Sequence, residues 1–115
     1  MKKMYFLLGL VLLMCVSCKE STKLKVTNGS HYYAIVYVDD VKKKELNTGS
    51  TSSITIKDAS KSHSIYVTLH EYSDDNHYYT RIYRSLETKE KFKWTKDYEL
   101  VIYNTSLTVR ETDKD

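Results

Sequence analysis

The two cysteines of the chain, Cys15 and Cys18, are its most reactive side chains, and both lie within the first 18 residues. They follow Lys2, Lys3 and an apolar run over residues 5–16. Two cations, an apolar stretch and a small residue before the second cysteine form the pattern of a secretory signal peptide. The run is shorter than the roughly 20 residues that cross a bilayer as a helix. The sequence therefore predicts a cleaved helical signal peptide rather than a transmembrane segment.

The segment Cys15-Val16-Ser17-Cys18 resembles the lipobox of bacterial lipoproteins, in which an apolar residue and two small residues precede a cysteine. Cys15 stands where leucine is usual, and bulky Met14 makes Cys15 itself the weaker acceptor. The resemblance implies that the Cys18 thiol receives a diacylglycerol and that the chain is cleaved after Ser17. The new amine can then take a further acyl chain such as palmitate. Two or three acyl chains hold a protein on a membrane far longer than one. A plain secretory signal is the alternative.

The composition divides the chain at Cys18. Every methionine and cysteine lies at or before it, and removing residues 1–17 lowers the net charge from +3 to +1. We expect a signal peptide over residues 1–17, the lipidated cysteine and a tether over residues 18–23, and one β domain over residues 24–115. A nearly neutral domain has no clustered basic face, which argues against a nucleic-acid partner.

Alternation of apolar and polar residues dominates the predicted domain and indicates half-buried strands. Two runs, residues 32–38 and 98–103, are apolar on both faces and predict central strands. The sequence therefore predicts an all-β fold, an antiparallel sandwich or small barrel of seven to eight strands. The predicted core consists of Leu24, Val26, Val36, Val38, Ile54, Ile56, Ile65, Val67, Leu69, Ile82, Trp94, Leu100, Ile102, Leu107 and Val109.

Polar residues between these runs predict the turns. Asp39-Asp40 is expected to close a hairpin, and Asn28-Gly29 is a strong candidate for a two-residue turn. Residues 85–90 fit either one helical turn or a charged loop. The segment of residues 34–56 resembles the hairpins of small immunoglobulin-like or PEGA-like envelope domains.

The tyrosines are the main indication of a binding role, since ten of the eleven follow Cys18. If Val36, Val67 and Ile82 face the core, alternation places other strand residues on the opposite face. Four tyrosines form this predicted partner-binding face: Tyr37, Tyr66, Tyr79 and Tyr83. Tyrosine offers a large, rigid contact area with a hydroxyl, which suits a protein or a glycan. The alternative is that these residues are favoured in strands and only cover apolar surface.

Residues 70–77 contain several potential metal ligands, with His70, Glu71 and His77 as the central ones. A zinc site needs three or four converging ligands, and neither a His-x-x-x-His spacing nor a cysteine pair is present after Cys18. A solvated acidic loop is the favoured interpretation. The calcium-loop spacing, the Gly-x-Ser-x-Gly elbow and the phosphate loop are also absent. We therefore predict no catalytic residues, no metal site and no cofactor, and we do not expect an enzyme.

These observations predict a lipoprotein of the bacterial envelope whose membrane partner is engaged through lipid on Cys18. The outer membrane or the cell surface is favoured over the inner membrane. The expected role is that of a binding or interaction module with a protein or glycan partner. One alternative is a structural envelope component without a discrete ligand. A small metal-binding or enzymatic lipoprotein is the less favoured alternative.

Overall fold

The computed structural model describes residues 21–72 and 79–112, with backbone alone at residues 79 and 80. The predicted signal peptide, Cys18 and His77 lie outside this part of the chain. The described residues form eight strands and no helix, which confirms the all-β class. The strands are β1 (Thr22–Asn28), β2 (Tyr33–Val38), β3 (Val41–Leu46), β4 (Thr51–Ile56), β5 (His63–Tyr72), β6 (Tyr79–Glu90), β7 (Asp97–Ile102) and β8 (Leu107–Thr112).

The strands form two four-stranded sheets, so the fold is a sandwich. Sheet A has the order β4-β1-β7-β8, and sheet B has the order β3-β2-β5-β6. The predicted central strands β2 and β7 both have a neighbour on each side, as runs that are apolar on both faces require. Strand pairs are antiparallel except for β1 and β7, which are parallel. Apolar and polar residues alternate in the same way in parallel and antiparallel strands, so the sequence pattern does not indicate the parallel pairing of β1 with β7.

The core lies between the inner faces of the two sheets. Two residues of the predicted core are wrong, since Ile82 is 56% exposed and Trp94 is 47% exposed. Phe92, in the connection after β6, takes the core position that was expected of Trp94. The buried apolar cluster consists of Leu24, Val26, Ala34, Val36, Val38, Leu46, Ile54, Ile56, Ala59, Ile65, Val67, Leu69, Phe92, Tyr98, Leu100 and Ile102.

A β-bulge in β6 explains the exposure of Ile82. One step along β5, from Leu69 to His70, corresponds to two steps in β6, from Arg84 to Ile82. Tyr83 is therefore an extra residue. On its N-terminal side, at Ile82, the inward and outward positions of β6 are exchanged. Residues 85–90, predicted as a helical turn or a loop, instead continue β6 to Glu90.

The sandwich has two ends with different connections. The strand directions bring the start of β1 to the same end as the connections 39–40, 57–62 and 91–96, and we call this the N-terminal end. Asp39 and Asp40 have φ of 51° and 66° and form the two-residue turn predicted there. β1 begins at Thr22, within residues 18–23 that were predicted to contain the lipidated cysteine and the tether.

Candidate functional site

The outer face of sheet B carries four tyrosines, which we call the tyrosine face: Tyr33, Tyr37, Tyr66 and Tyr72. They share this face because Ala34, Val36 and Val38 of β2 point into the core, as do the alternate residues of β5. The pairing of β2 with β5 sets Tyr37 directly across from Tyr66. Regular alternation on two neighbouring strands therefore concentrates the aromatic rings on one surface.

The rings of the tyrosine face contact one another and are held by hydrogen bonds. Tyr37 and Tyr66 are tilted with centroids 5.8 Å apart, and Tyr33 meets Tyr72 edge to face at 6.2 Å. The Tyr66 hydroxyl donates to Ser85 Oγ at 3.0 Å, and the Tyr72 hydroxyl accepts from the Thr48 N–H at 2.9 Å. All four side chains are half-buried. The ring contacts and the hydrogen bonds of Tyr66 and Tyr72 restrict how these side chains can move.

Three residues between the rings are buried although they belong to the outer face. Ile35 is 4% exposed and does not belong to the core between the sheets. Thr68 and His70 are also buried, and Thr68 Oγ1 lies 2.8 Å from His70 Nε2. Burial lowers the pKa of His70, so this histidine is neutral at physiological pH. The centre of the tyrosine face therefore has an uncharged, apolar underside, while Lys42, Glu45 and Glu87 of the flanking strands place charges at its margins.

The four tyrosines predicted as one binding surface do not all lie together. Tyr37 and Tyr66 are neighbours on the tyrosine face. The bulge directs Tyr83 away from this face, and its ring stacks on Tyr32, which packs against the core, at 4.1 Å. Hydrogen bonding to Tyr83 is the main cause that raises the pKa of Tyr32. The backbone of Tyr79 pairs with that of Tyr72, and its side chain is outside the described part of the structure.

The outer face of sheet A has a different composition. Lys23, Lys25 and Thr27 of β1 point outward between the buried residues of that strand. On β7 and β8 the outward residues Glu99 and Arg110 form an ion pair. The described outward residues of the sheet A strands are not aromatic, although exposed Tyr103 follows β7 directly. The two outer faces therefore differ in tyrosine, since four tyrosines lie on the central strands β2 and β5 of sheet B.

A cleft of about 300 Å³ lies at the N-terminal end between the edge strands β3 and β4. His63 lies in this cleft, with Nδ1 2.7 Å from Asp39 Oδ2 and Nε2 2.8 Å from the Asp58 carbonyl oxygen. Both partners are acceptors, so both contacts are satisfied when the imidazole carries two protons. With both nitrogens engaged, the ring has no free position for a substrate proton. In this geometry the pair is a structural clamp that joins the β2–β3 turn to the connection before β5.

The charges of this clamp follow from its hydrogen bonds. Burial opposes the charge on His63, but hydrogen bonds to the Asp58 carbonyl and the Asp39 carboxylate outweigh burial and raise the pKa of His63. The hydrogen bond from His63, with one from the Ser64 N–H, holds the pKa of Asp39 below its ordinary value. At mildly acidic pH the His63 imidazole is therefore positively charged and the Asp39 carboxylate is negatively charged.

We expect Asp39→Asn to destabilise the domain more at pH 6 than at pH 8.5. His63 has a raised pKa, so its stabilisation is complete below its ordinary value and is lost as pH rises through the folded value. The Asp39 contribution is present above its own ordinary value and is lost only in acid. Because the carboxylate is half exposed, solvent screening limits the effect at pH 6 to about 0.5–1 kcal/mol. Thermal unfolding at both pH values measures it.

The matched control is Asp40→Asn, a change in the same turn at another exposed residue with positive φ. It is expected to have the same small effect at both pH values. An equal loss of stability for Asp39→Asn at pH 6 and pH 8.5 would contradict a charged His63–Asp39 pair.

The candidate metal ligands do not converge in the described residues. His70 and Glu71 are consecutive in β5 and therefore point to opposite faces. Glu71 is paired with Arg81 at 3.3 Å. Within residues 21–72 and 79–112, no group of three His, Cys, Asp or Glu side chains is placed to hold a metal ion. The same residues contain no helix of the length and apolarity needed to cross a bilayer.

Asn28 is a structural residue that the sequence patterns did not reveal. The predicted two-residue turn is wrong, because Asn28 ends β1 and the chain then crosses from sheet A to sheet B. Its buried amide donates to the carbonyls of Tyr32 (2.8 Å) and Leu46 (3.0 Å), and its Oδ1 accepts from the N–H (3.0 Å) and hydroxyl (2.6 Å) of Ser30. An asparagine side chain can accept a hydrogen bond from the residue two positions ahead, so the spacing of Asn28 and Ser30 could have indicated this local network.

Comparison with known proteins gives similarity to parts of pore-forming toxins. Wild-type pneumolysin is 14% identical with a TM-score of 0.44, over 83% of this chain and 23% of the toxin. A non-hemolytic pneumolysin from Streptococcus pneumoniae strain ST306 is 13% identical with a TM-score of 0.44, over 83% and 24%. Disulfide-locked intermedilysin with human CD59 is 7% identical, also with a TM-score of 0.44, over 83% and 24%.

The chain therefore spans about a quarter of the length of these toxins. Similarity at this level defines neither a family nor a function. No protein-family model matches the chain, and no curated protein is significantly similar to it.

Proposed function

We propose that this chain is a lipid-anchored binding module of the bacterial cell envelope that engages a partner protein through the tyrosine face. The observation that carries the proposal is the contrast between the two outer faces of one sandwich. Sheet A presents lysine, threonine and an ion pair to solvent, whereas the central strands of sheet B present four tyrosines, with Lys42, Glu45 and Glu87 on its flanking strands. If tyrosine served only as a favoured strand residue, both outer faces should carry it. Its concentration on sheet B therefore supports a contact surface.

The arrangement of the rings favours a protein over a glycan. Sugar stacking uses the open, flat face of an aromatic ring, whereas Tyr33 and Tyr72 meet edge to face and Tyr37 and Tyr66 are tilted against each other. Ile82, which pairs with His70 across β5 and β6, adds an exposed aliphatic side chain to the tyrosine face. Fixed aromatic rings beside an aliphatic group resemble the central part of protein interfaces, where tyrosine is enriched.

The anchor on Cys18 supports this role by confining the module to a membrane. A partner in the same envelope layer then meets it at a high local concentration, so a modest contact area suffices for binding. We favour the outer membrane or the cell surface as the location. A structural component without a discrete ligand is the second candidate, and it predicts no partner specific to the tyrosine face.

Photo-crosslinking in intact cells tests the proposal. A photoreactive amino acid in place of Tyr66 is expected to give a discrete adduct with one envelope protein. The matched control is the same amino acid in place of Thr108, an exposed residue on the outer face of sheet A. Adding Tyr37→Ser to the Tyr66 probe should reduce the adduct about tenfold, since a buried interface tyrosine contributes on the order of 1–2 kcal/mol. Equal adducts at both positions, or none at Tyr66, would contradict the proposal.

A further inference from the structure

The connection between β6 and β7 presents a tryptophan between lysines at the N-terminal end of the sandwich. Residues 91–96 read Lys-Phe-Lys-Trp-Thr-Lys, with three cations and no acid. Phe92 is buried in the core, and its N–H donates to the Ala59 carbonyl at 2.9 Å. Trp94 has an exposed side chain two residues after this fixed point. The connection therefore presents part of a large aromatic ring to solvent next to a residue fixed in the core.

The start of β1 ties this connection to the predicted anchor. Thr22 is buried, and its hydroxyl donates to the Lys96 carbonyl. Cys18 lies four residues before Thr22, and four residues span at most about 14 Å. If the sulfur of Cys18 carries lipid, Thr22 is held near the membrane surface and so is the connection that binds it.

We propose that residues 91–96 dock on an anionic phospholipid surface, with Trp94 at the depth of the headgroups. This inference rests on the proposed lipid anchor at Cys18. Tryptophan is enriched at membrane–water interfaces because its ring is apolar and its N–H reaches water. Lysines beside a bilayer are attracted to anionic lipid, and Lys91, Lys93 and Lys96 flank the ring.

The acidic residues nearest this connection are less exposed than its lysines, since Glu90, Asp97 and Asp58 are half-buried whereas Lys91, Lys93 and Lys96 are exposed. Glu111 approaches Lys93 at 3.9 Å, but the pair is exposed and therefore weak. Asp39 and Asp40 belong to the β2–β3 turn of sheet B, and Asp39 is engaged with His63. Docking through residues 91–96 would also fix the orientation of the sandwich, because a second contact prevents rotation about the short tether.

Trp94 is the only tryptophan of the chain, so its fluorescence reports this position alone. The full chain, purified from membranes, is reconstituted into vesicles of phosphatidylethanolamine and phosphatidylglycerol, with or without bromine on the acyl chains. Bromine quenches a ring at the interface, and we expect a blue-shifted emission that falls about twofold or more with brominated lipid. Vesicles of phosphatidylcholine alone should give a smaller effect, and equal quenching in both would overturn the proposed role of the lysines.

A variant with the tryptophan moved to the other end is the matched control. Trp94→Phe combined with Tyr103→Trp places the ring at an exposed position after β7, at the end away from Thr22. Its emission should not respond to brominated lipid. Flotation with the vesicles tests the anchor separately. Protein that floats with Trp94 unquenched overturns the docking alone, whereas protein that lacks lipid on Cys18 and does not float overturns the anchor as well.

Discussion

Asn28→Asp is expected to destabilise the domain by about 3–5 kcal/mol at pH 7, although the two side chains have nearly the same shape. The amide nitrogen of Asn28 donates to the carbonyls of Tyr32 and Leu46. A carboxylate would set a charged oxygen against these two acceptors in a site that is completely buried. Asn28→Ala removes the same bonds without adding a charge and should cost about 2–3 kcal/mol. Urea-induced unfolding measures both variants.

The pH dependence distinguishes buried charge from lost packing. Burial raises the pKa of a carboxyl group at this position above its unfolded value, so the penalty is present at neutral pH and shrinks as the group is protonated in acid. The penalty of Asn28→Ala should not follow this trend. The control is Asn47→Asp, at an exposed asparagine of the β3–β4 connection, which should change stability by less than about 0.5 kcal/mol. Equal effects of the two aspartate variants would contradict the network around Asn28.

Cys18→Ala is expected to abolish fatty-acid labelling and to release the chain from the membrane fraction. The thiol of Cys18 is the proposed acceptor of the diacylglycerol, and without acyl chains the domain keeps only the weak contact proposed for residues 91–96, which does not survive fractionation. Cells grown with a radioactive or clickable fatty acid, followed by fractionation, give both measurements. The expected loss of label is complete rather than partial.

Cys15→Ala is the matched control for this experiment. Cys15 precedes the proposed cleavage site, so the variant should keep its label and its membrane location. Label that persists in Cys18→Ala but disappears in Cys15→Ala would mean that the acceptor is the other cysteine. Label that persists in both single variants would contradict lipidation at a single cysteine of the predicted lipobox.

Period-two alternation predicted the sheet faces where the strands are regular. Alternation is a local property, so it placed Tyr37 and Tyr66 opposite the core without any knowledge of the topology. In β6 the same rule failed at Ile82, because a bulge at Tyr83 adds one residue and exchanges the two faces. Ile82 is exposed and Tyr83 turns toward Tyr32 for this single reason. Nothing in the local sequence of β6 marks the position of that bulge.

The long-range features of the fold were not available from local patterns. The parallel pairing of β1 with β7 joins residues about 70 positions apart, and alternation is the same for both strand directions. Phe92 and Trp94 are two residues apart, and alternation predicts the same burial for both. Phe92 is nevertheless buried and Trp94 exposed, because this difference depends on the path of the connection after β6.

Mass spectrometry of the protein isolated from its native membrane tests the lipid-anchored module most directly. We predict that its first residue is Cys18, that its mass exceeds that of residues 18–115 by a diacylglycerol with or without one acyl chain, and that residues 1–17 are absent. A chain that keeps residues 1–17, or that begins at another residue without lipid, would contradict the anchor on which the proposed function depends.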